Sequence, residues 1–423
     1  MFDQPAPTNY QLPIMMMRVT MIAGTYEPGR CGVAHYTECL RTVLGKQDVE
    51  SVVLTTYDAA LLSYDRSVKG VVRGWGVSFM KPLVRSLLAT PSDILHIQHA
   101  AGTYSFERAI FLLPLLLRIF GWRKPIVTTI HEYGWWEWQP SFFPPRLLEQ
   151  LKTRGQQYGW WDREDGFLLT GSDAIITTNS DAEKVIHSRL PLISDRLYRI
   201  PIAANIEVAP IDRDVARSSL RLACNWSNDV SVVVFFGFLH PVKGLENLLS
   251  AFKQVLSHHP QTRLLLIGGV ESLALSGEGA SQYWDKLHKL VCDLNLDKTV
   301  HITNYLPADT ASRYIAGADV GVLPFNCGVT IKSGSLLTLL AHGLPVVVTR
   351  HDPASPDLTD DIVRLVKPRD IDGIATALIE LLSDARERIR LADAGCKFVR
   401  QFSWDGIAQA HIKVYQNCMA AKS

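Results

Sequence analysis

The sequence carries no block of like charge. Its 43 Lys and Arg nearly cancel its 42 Asp and Glu, so it lacks the electrostatic footprint of a nucleic-acid partner, and a small or neutral ligand fits better. It also lacks a cysteine framework. Cys31, Cys39, Cys224, Cys292, Cys327, Cys396 and Cys418 are scattered and odd in number, with no metal-ligand or redox spacing, which reads as reduced thiols in a cytoplasmic protein. The opening MFDQPAPTNYQLP has no basic-then-apolar pattern of a secretory signal and reads as a loose tail before a strand near Arg18. No apolar run reaches the roughly 20 residues of a spanning helix. The longest, Ala109 to Trp122, is interrupted by Pro114 and Arg118, so a buried or surface-lying helix is expected there. Neither glycine-bearing turn has the G-x-G-x-x-G spacing with an acidic residue following, which disfavours a nicotinamide-dependent oxidoreductase.

What the chain does have is length for two α/β domains and a rhythm that fills them. Short β-branched runs (RVTMIA, SVVLT, DILHIQ, PIVTTI, DAIITT, then SVVVFF, RLLLIG, TVHIT, DVGVL, PVVVT) alternate with amphipathic stretches, the pattern of parallel sheets flanked by helices. A strand ending at Ile202 then gives way to a polar stretch, and the rhythm resumes at Ser231, which places a linker at about residues 204 to 228. Each half opens alike, with a strand, a glycine-bearing turn (TYEPGRCG or GFLHPVKG) and an amphipathic helix. Between His131 and Gly166 five tryptophans and a Pro-Pro pair break the rhythm. Such aromatics stack on sugar rings, sit at membrane interfaces or simply anchor packing.

Residues able to carry chemistry gather at strand ends and helix entrances. Gly29 and Gly32 flank a helix N-terminus, which accepts anionic or hydroxyl-rich ligands. His131 ends the strand PIVTTI and is placed to orient a substrate hydroxyl; Glu132 beside it and His99, at another strand end, are acceptor-side candidates. Lys243 precedes a helix entrance and would pair its ammonium with the helix dipole at a diphosphate. Lys332, Ser333, Gly334 and Ser335 offer a cation, hydroxyls and unpaired N–H groups at a further helix entrance, though Ser333 also suits a plain N-cap.

The pieces FFGFLHPVKGLENLLSAF, RLLLIGG, VHITNYLP, LLAHGLPVVV and FSWDGIAQAHIKVY, with CGVAHYTECLRTVL, DAIITTNS and IPIAAN in the first half, resemble the retaining glycosyltransferases of the GT-B fold, family four. The resemblance implies two Rossmann-like domains facing across a cleft: an acceptor domain over residues 1–208, onto which the last helix (404–423) packs back, and a nucleotide-sugar domain over 209–403. It implies no catalytic metal and no cofactor beyond the donor. By position, Lys243 would neutralise the diphosphate, Gly32 would line the donor cleft and His131 would touch the transferred sugar. Two places depart from the family pattern. Phe238 stands where an Arg is usual, and Thr330 and Thr338 stand where a Glu pair is usual; a threonine still hydrogen-bonds a hydroxyl, so Thr330 is kept among the donor-binding candidates.

The expected activity is a metal-independent retaining transfer of a hexose from a nucleotide sugar to a glycan, lipid-linked or small-molecule hydroxyl, with peripheral contact at the inner membrane face conceivable for a lipid-linked acceptor. Two rivals remain from the residues alone: a noncatalytic nucleotide-sugar-binding partner, motivated by Phe238, Thr330 and Thr338, and a nucleotide-sugar epimerase.

Overall fold

The computed structural model describes residues 16–134, 137–139, 144–352 and 357–422. The expected N-terminal tail, and Trp135 and Trp136 of the aromatic segment, lie outside the described residues.

Among the described residues, thirteen strands form two wholly parallel sheets. The first comprises β1 (Met17–Ala23), β2 (Val49–Thr56), β3 (Val68–Val72), β4 (Ile94–His99), β5 (Ile126–Ile130), β6 (Ala174–Thr177) and β7 (Leu197–Arg199) in the order β3-β2-β1-β4-β5-β6-β7. The second comprises β8 (Ser231–Phe236), β9 (Thr262–Ile267), β10 (Val300–Ile302), β11 (Val320–Leu323), β12 (Val346–Thr349) and β13 (Arg364–Val366) in the order β10-β9-β8-β11-β12-β13. The central strands are buried along their length because helices cover both faces; β4, β5, β11 and β12 are buried at every residue, including the polar His96, Gln98 and His99 of β4. The edge strands β3, β7, β10 and β13 are short and part-exposed. Their weak apolar signal explains why the strand pattern of the sequence passes over β3 and β13.

The helices used below are α1 (Gly32–Gly45), α2 (Ser180–Arg189), α3 (Arg213–Ala223), α4 (Leu245–His258), α5 (Ala308–Ala316), α6 (Gly334–Ala341) and α7 (Trp404–Ala420). The last of these returns to the first domain. Its Ile407, Ala408, Val414 and Tyr415 share a core with Val19, Met21, Tyr36 and Leu40.

The linker expected at 204–228 is corrected in its middle, where residues 213–223 form α3. Asp212 caps it by accepting from the N–H groups of Asp214 and Val215. Its polarity is that of an amphipathic helix: Leu220 and Ala216 are buried, and the 1% exposed Arg221 donates to the carbonyls of Val230 and Gly317 and to Asp319. The helix packs on α5.

The 109–122 run is a short 3-10 turn, Ala109–Leu112, followed by a helix, Leu113–Ile119, with Pro114 in its first turn. Ile110, Phe111, Leu113 and Leu117 are buried while Leu115, Ile119 and Phe120 are exposed, so it lies along the surface of the core. No helix among the described residues is long and apolar enough to cross a membrane.

Candidate functional site

In each sheet the chain reverses direction of winding beside the first strand, between β1 and β4 and between β8 and β11. Open parallel sheets bind ligands outside the carboxyl ends of strands at such a switch point. The segments found there are residues 24–31 after β1, 131–132 after β5, 237–244 after β8, 268–269 after β9 and 324–335 after β11.

On the second domain these segments make a close-set floor. Gly237 has φ +140°, and a Cβ on it would stand 2.8 Å from Ser335 Oγ. Gly268 has φ +143°, and a Cβ there would lie 1.9 Å from the carbonyl oxygen of Gly237. Both conformations and both approaches demand glycine. Ser333 caps α6 by accepting from the N–H of Leu336 at 3.3 Å, which confirms its N-cap role. The first N–H groups of α6, at Gly334 and Ser335, have no intrahelical acceptor and carry the positive end of the helix dipole. Thr330 braces this entrance: its Oγ1 accepts from the N–H of Lys332 at 3.4 Å and its carbonyl from the N–H of Ser333.

Lys243 ends the turn before Gly244 and α4, with its Nζ 3.6 Å from the centre of the Phe325 ring. Burial lowers its pKa to about 8. The aromatic face offsets part of the lost hydration without neutralising the charge. Lys332 stands at the mouth of the cleft. Burial lowers its pKa while Asp181 and Glu132, both on the first domain, oppose the fall. Lys332 therefore feels the charge of Asp181 and Glu132 from the first domain, an influence the sequence could not reveal.

On the first domain His131 Nε2 lies 2.9 Å from Gln98 Oε1, and its ring meets Tyr36 edge-on at 4.9 Å. Burial, with His99 and His411 nearby, lowers its pKa to about 3, so it is a neutral imidazole at physiological pH. Donation from Nε2 to the amide oxygen leaves Nδ1 as an acceptor. Gly32 opens α1 behind an N-cap, Cys31, that makes no side-chain bond, and a Cβ on Gly32 would meet nothing within 4 Å. The protein itself does not require glycine there; the open space leaves room for a ligand.

His99 requires correction as an acceptor-side candidate. It is 1% exposed, stacks on Tyr104 and bonds through Nε2 to Asp165 Oδ1 at 3.1 Å. Asp165 belongs to a buried loop of three carboxylates. Asp162 accepts from Tyr133 and from the N–H groups of Glu164 and Asp165; Glu164 accepts from the N–H of Gly134 and from Arg189. Burial and mutual repulsion raise Asp162 to about 6 and Glu164 to about 8. This network fixes the segment after β5, and with it His131, from beneath. Trp161 packs between Trp138, Phe167 and the bare Cα of Gly155, while Trp160 is 42% exposed. Packing is the role of Trp138 and Trp161, whereas Tyr158, like Trp160, is exposed.

The residues the sequence reading missed lie where the domains meet. Asn205, on the segment joining them, donates its N–H to Thr338 Oγ1 at 3.0 Å, accepts at its carbonyl from His35 Nε2 at 2.6 Å, and presses its side chain onto Gly334. Thr338, fully buried, is therefore turned to the joining segment. Arg30 sets its guanidinium 3.8 Å over the Tyr305 ring. The signal for Arg30 was its place in a glycine turn facing the opposite domain; Asn205 had none, since a hydrogen bond between segments 133 residues apart leaves no local pattern.

Residues 230–384 match the family model described as glycosyl transferases group 1. A GDP-mannose-dependent alpha-(1-6)-phosphatidylinositol monomannoside mannosyltransferase of Mycolicibacterium smegmatis is 29% identical over 392 residues, 89% of this chain and 92% of that protein. A GDP-mannose-dependent monoacylated alpha-(1-6)-phosphatidylinositol monomannoside mannosyltransferase of Corynebacterium glutamicum is 22% identical over 95% of this chain and 98% of its own. Among solved structures, a glycosyltransferase from Rickettsia africae superposes with a TM-score of 0.72 at 11% identity, covering 96% of this chain and 99% of that one. Sucrose-phosphate synthase from Thermosynechococcus elongatus gives 0.68 at 18% identity, covering 96% and 100%.

Proposed function

We propose, from the premise that this chain is a glycosyltransferase of GT-B architecture whose C-terminal domain matches the group 1 glycosyl transferases, that it moves a hexose with retention of anomeric configuration from a nucleoside-diphosphate sugar to a hydroxyl acceptor. The observation that carries the reading is the convergence, at one end of the second sheet, of Lys243, the glycine floor of Gly237 and Gly268, and the N-terminus of α6. All three favour an anion, and developing charge on a departing diphosphate is where a transferase of this kind gains most. The curated relatives named above use GDP-mannose, which is the first donor to test.

In this reading the donor diphosphate lies on the α6 N-terminus with Lys243 and Lys332 flanking it. The neutral His131 takes a sugar hydroxyl at Nδ1, and Glu132 faces the acceptor. The diphosphate oxygen accepts the acceptor proton on the face from which it departs, so no protein carboxylate nucleophile and no resident metal or cofactor is required. The acceptor is a lipid-linked glycan. Ile119, Phe120 and Trp160, at 65%, 61% and 42% exposure on the first domain, give the apolar contact that would hold the enzyme at a membrane face.

The test is a thermal-shift panel of GDP-, UDP-, ADP- and dTDP-sugars, because a ligand of the folded state stabilises it, followed by NMR of the product's anomeric centre. A shift with one donor and an inverted product would remove the retaining mechanism. A shift with no transfer to any acceptor would favour a noncatalytic binder, and an altered nucleotide sugar formed without acceptor would favour an epimerase.

A further inference from the structure

We infer that Tyr415, on the last helix of the chain, sets the tautomer of His131 through His96 and Gln98, so that the three are positioning residues for the histidine at the end of β5. Its consequence for sugar binding rests on the reading above, in which His131 meets the donor sugar. Tyr415, His96 and Gln98 are all fully buried. His96 and Gln98, two apart on β4, share the face of the first sheet that α7 covers, and Thr129 stands beside Gln98 in register on β5.

With the Gln98 amide turned as it is, the distances leave one arrangement of protons. His131 Nε2 donates to Gln98 Oε1 at 2.9 Å, and the Gln98 amide nitrogen lies 3.3 Å from His96 Nε2. An amide N–H can only donate, so His96 Nε2 is an acceptor, and it takes the Thr129 hydroxyl proton at 2.7 Å as well. The His96 proton therefore sits on Nδ1 and is donated to the Tyr415 hydroxyl oxygen at 2.7 Å. Burial holds His96 well below its ordinary pKa and brings His131 to about 3, so each ring carries a single proton. The place of that proton on one ring decides its place on the next.

A second contact from the same helix holds the ring. His411, one turn before Tyr415 on α7, donates from Nδ1 to the carbonyl of Ile407 at 2.8 Å, which leaves its Nε2 to accept from the Tyr36 hydroxyl at 3.4 Å. The Tyr36 ring in turn meets His131 edge-on at 4.9 Å. A helix that served only to brace the domain could dock by apolar contacts alone, as Ile407, Ala408 and Val414 do. A buried polar chain is costly unless every member is paired, and here each pairing specifies the next. Without the Tyr415 hydroxyl, the proton on His96 Nδ1 loses its acceptor. Moved to Nε2 it is donated to Thr129, and the Gln98 amide must then turn its oxygen toward His96 and its N–H toward His131. The His131 proton shifts to Nδ1, and the ring offers a sugar hydroxyl a donor in place of an acceptor.

The experiment is NMR of the full chain carrying isotope-labelled histidine ring nitrogens, whose shifts report which nitrogen bears the proton. The parent, Tyr415→Phe, Gln98→Leu and Val414→Ala are compared, with His131→Gln to identify the His131 signals. His131 should be protonated at Nε2 in the parent and at Nδ1 in Tyr415→Phe. Val414→Ala loosens the same helix without touching the proton path and should leave the signals where the parent has them. Titration calorimetry then compares GDP-mannose with GDP and UDP-glucose with UDP. Loss of one accepted hydroxyl contact predicts a fall of roughly tenfold in nucleotide-sugar affinity for Tyr415→Phe, with the free diphosphate unchanged. Added to Gln98→Leu, which already cuts the path, Tyr415→Phe should cost nothing further. An unchanged His131 tautomer in Tyr415→Phe, or the same change in Val414→Ala, overturns the inference and leaves the transferase reading standing. A changed tautomer with nucleotide-sugar affinity equal to the parent's upholds the proton path and removes His131 from the sugar. If the parent binds no nucleotide sugar, the donor reading fails, and the tautomer comparison still decides the inference.

Discussion

The backbone N–H of Asn205 donates to the hydroxyl of Thr338 at 3.0 Å, joining the segment between the domains to the middle of the helix whose entrance is the proposed anion site. Thr338 is fully buried, so its role is to hold the joining segment rather than to meet a ligand. Thr338→Val should cost about 1 kcal/mol through an orphaned donor, read as a lowered denaturation midpoint. Thr338→Glu should cost more, since a buried carboxylate with one donor is poorly compensated. A Glu variant that gains activity would show the position faces the donor after all.

Gly334 sits against the Asn205 side chain so closely that a Cβ would lie 1.9 Å from Oδ1. Gly334→Ala must therefore displace Asn205, and turnover should drop. Because the obstacle is a side chain, adding Asn205→Ala should recover most of the activity. Steady-state assays of the single and double variants check this, and a double variant no better than Gly334→Ala would place the damage in the α6 entrance itself.

Lys243 has a pKa lowered to about 8 by burial, against 10.5 in the unfolded chain. Between those values the unfolded chain holds a proton the native state lacks, so this lysine makes stability rise with pH there; below pH 8 the native state bears the whole cost of a desolvated charge. Lys243→Met should therefore raise the melting temperature at pH 7 by a few degrees while abolishing the stabilisation given by a nucleotide sugar. In the parent protein donor affinity should fall as pH rises through about 8, measured by titration in a buffer series.

Glu164 is raised to about 8 by burial and by Asp165, although Arg189 lies 3.0 Å from it. From about pH 4.5 to 8 the native state keeps a proton the unfolded chain gives up, so stability should decline across that window. Glu164→Gln keeps both acceptor contacts without the charge. Its advantage in urea denaturation should be small at pH 5 and largest above pH 8; an advantage that does not grow with pH would mean Arg189 already holds the carboxylate ionised.

His131, at about 3, should add no limb to the activity profile between pH 5 and 8. His131→Ala should lower activity by a similar factor across that range in initial-rate assays.

Eleven of the strands were readable in advance, most of them because a buried parallel strand is a largely apolar run, and the run leaves its mark on RLLLI or PVVVT without help from any neighbour. The edge strand VKGVV carries no such mark, since one side of it meets water. The proposed anion site could be named in advance for the same local reason: Lys243, Ser333, Gly334 and Ser335 stand beside helix entrances, and helix entrances are written in a few consecutive residues. His99 misled because the end of a strand in sequence does not say which side of the sheet a ring takes. Asn205, Thr338 and Arg30 act between segments far apart in the chain, where only the folded molecule brings the partners together.

The chain passes between the domains twice, once through Asn205 and once ahead of Trp404, whose indole N–H donates to the carbonyl of Ala204 at 3.0 Å. The two passages are stitched side by side. A body tied at one place by a doubled thread can nod but resists being wrung.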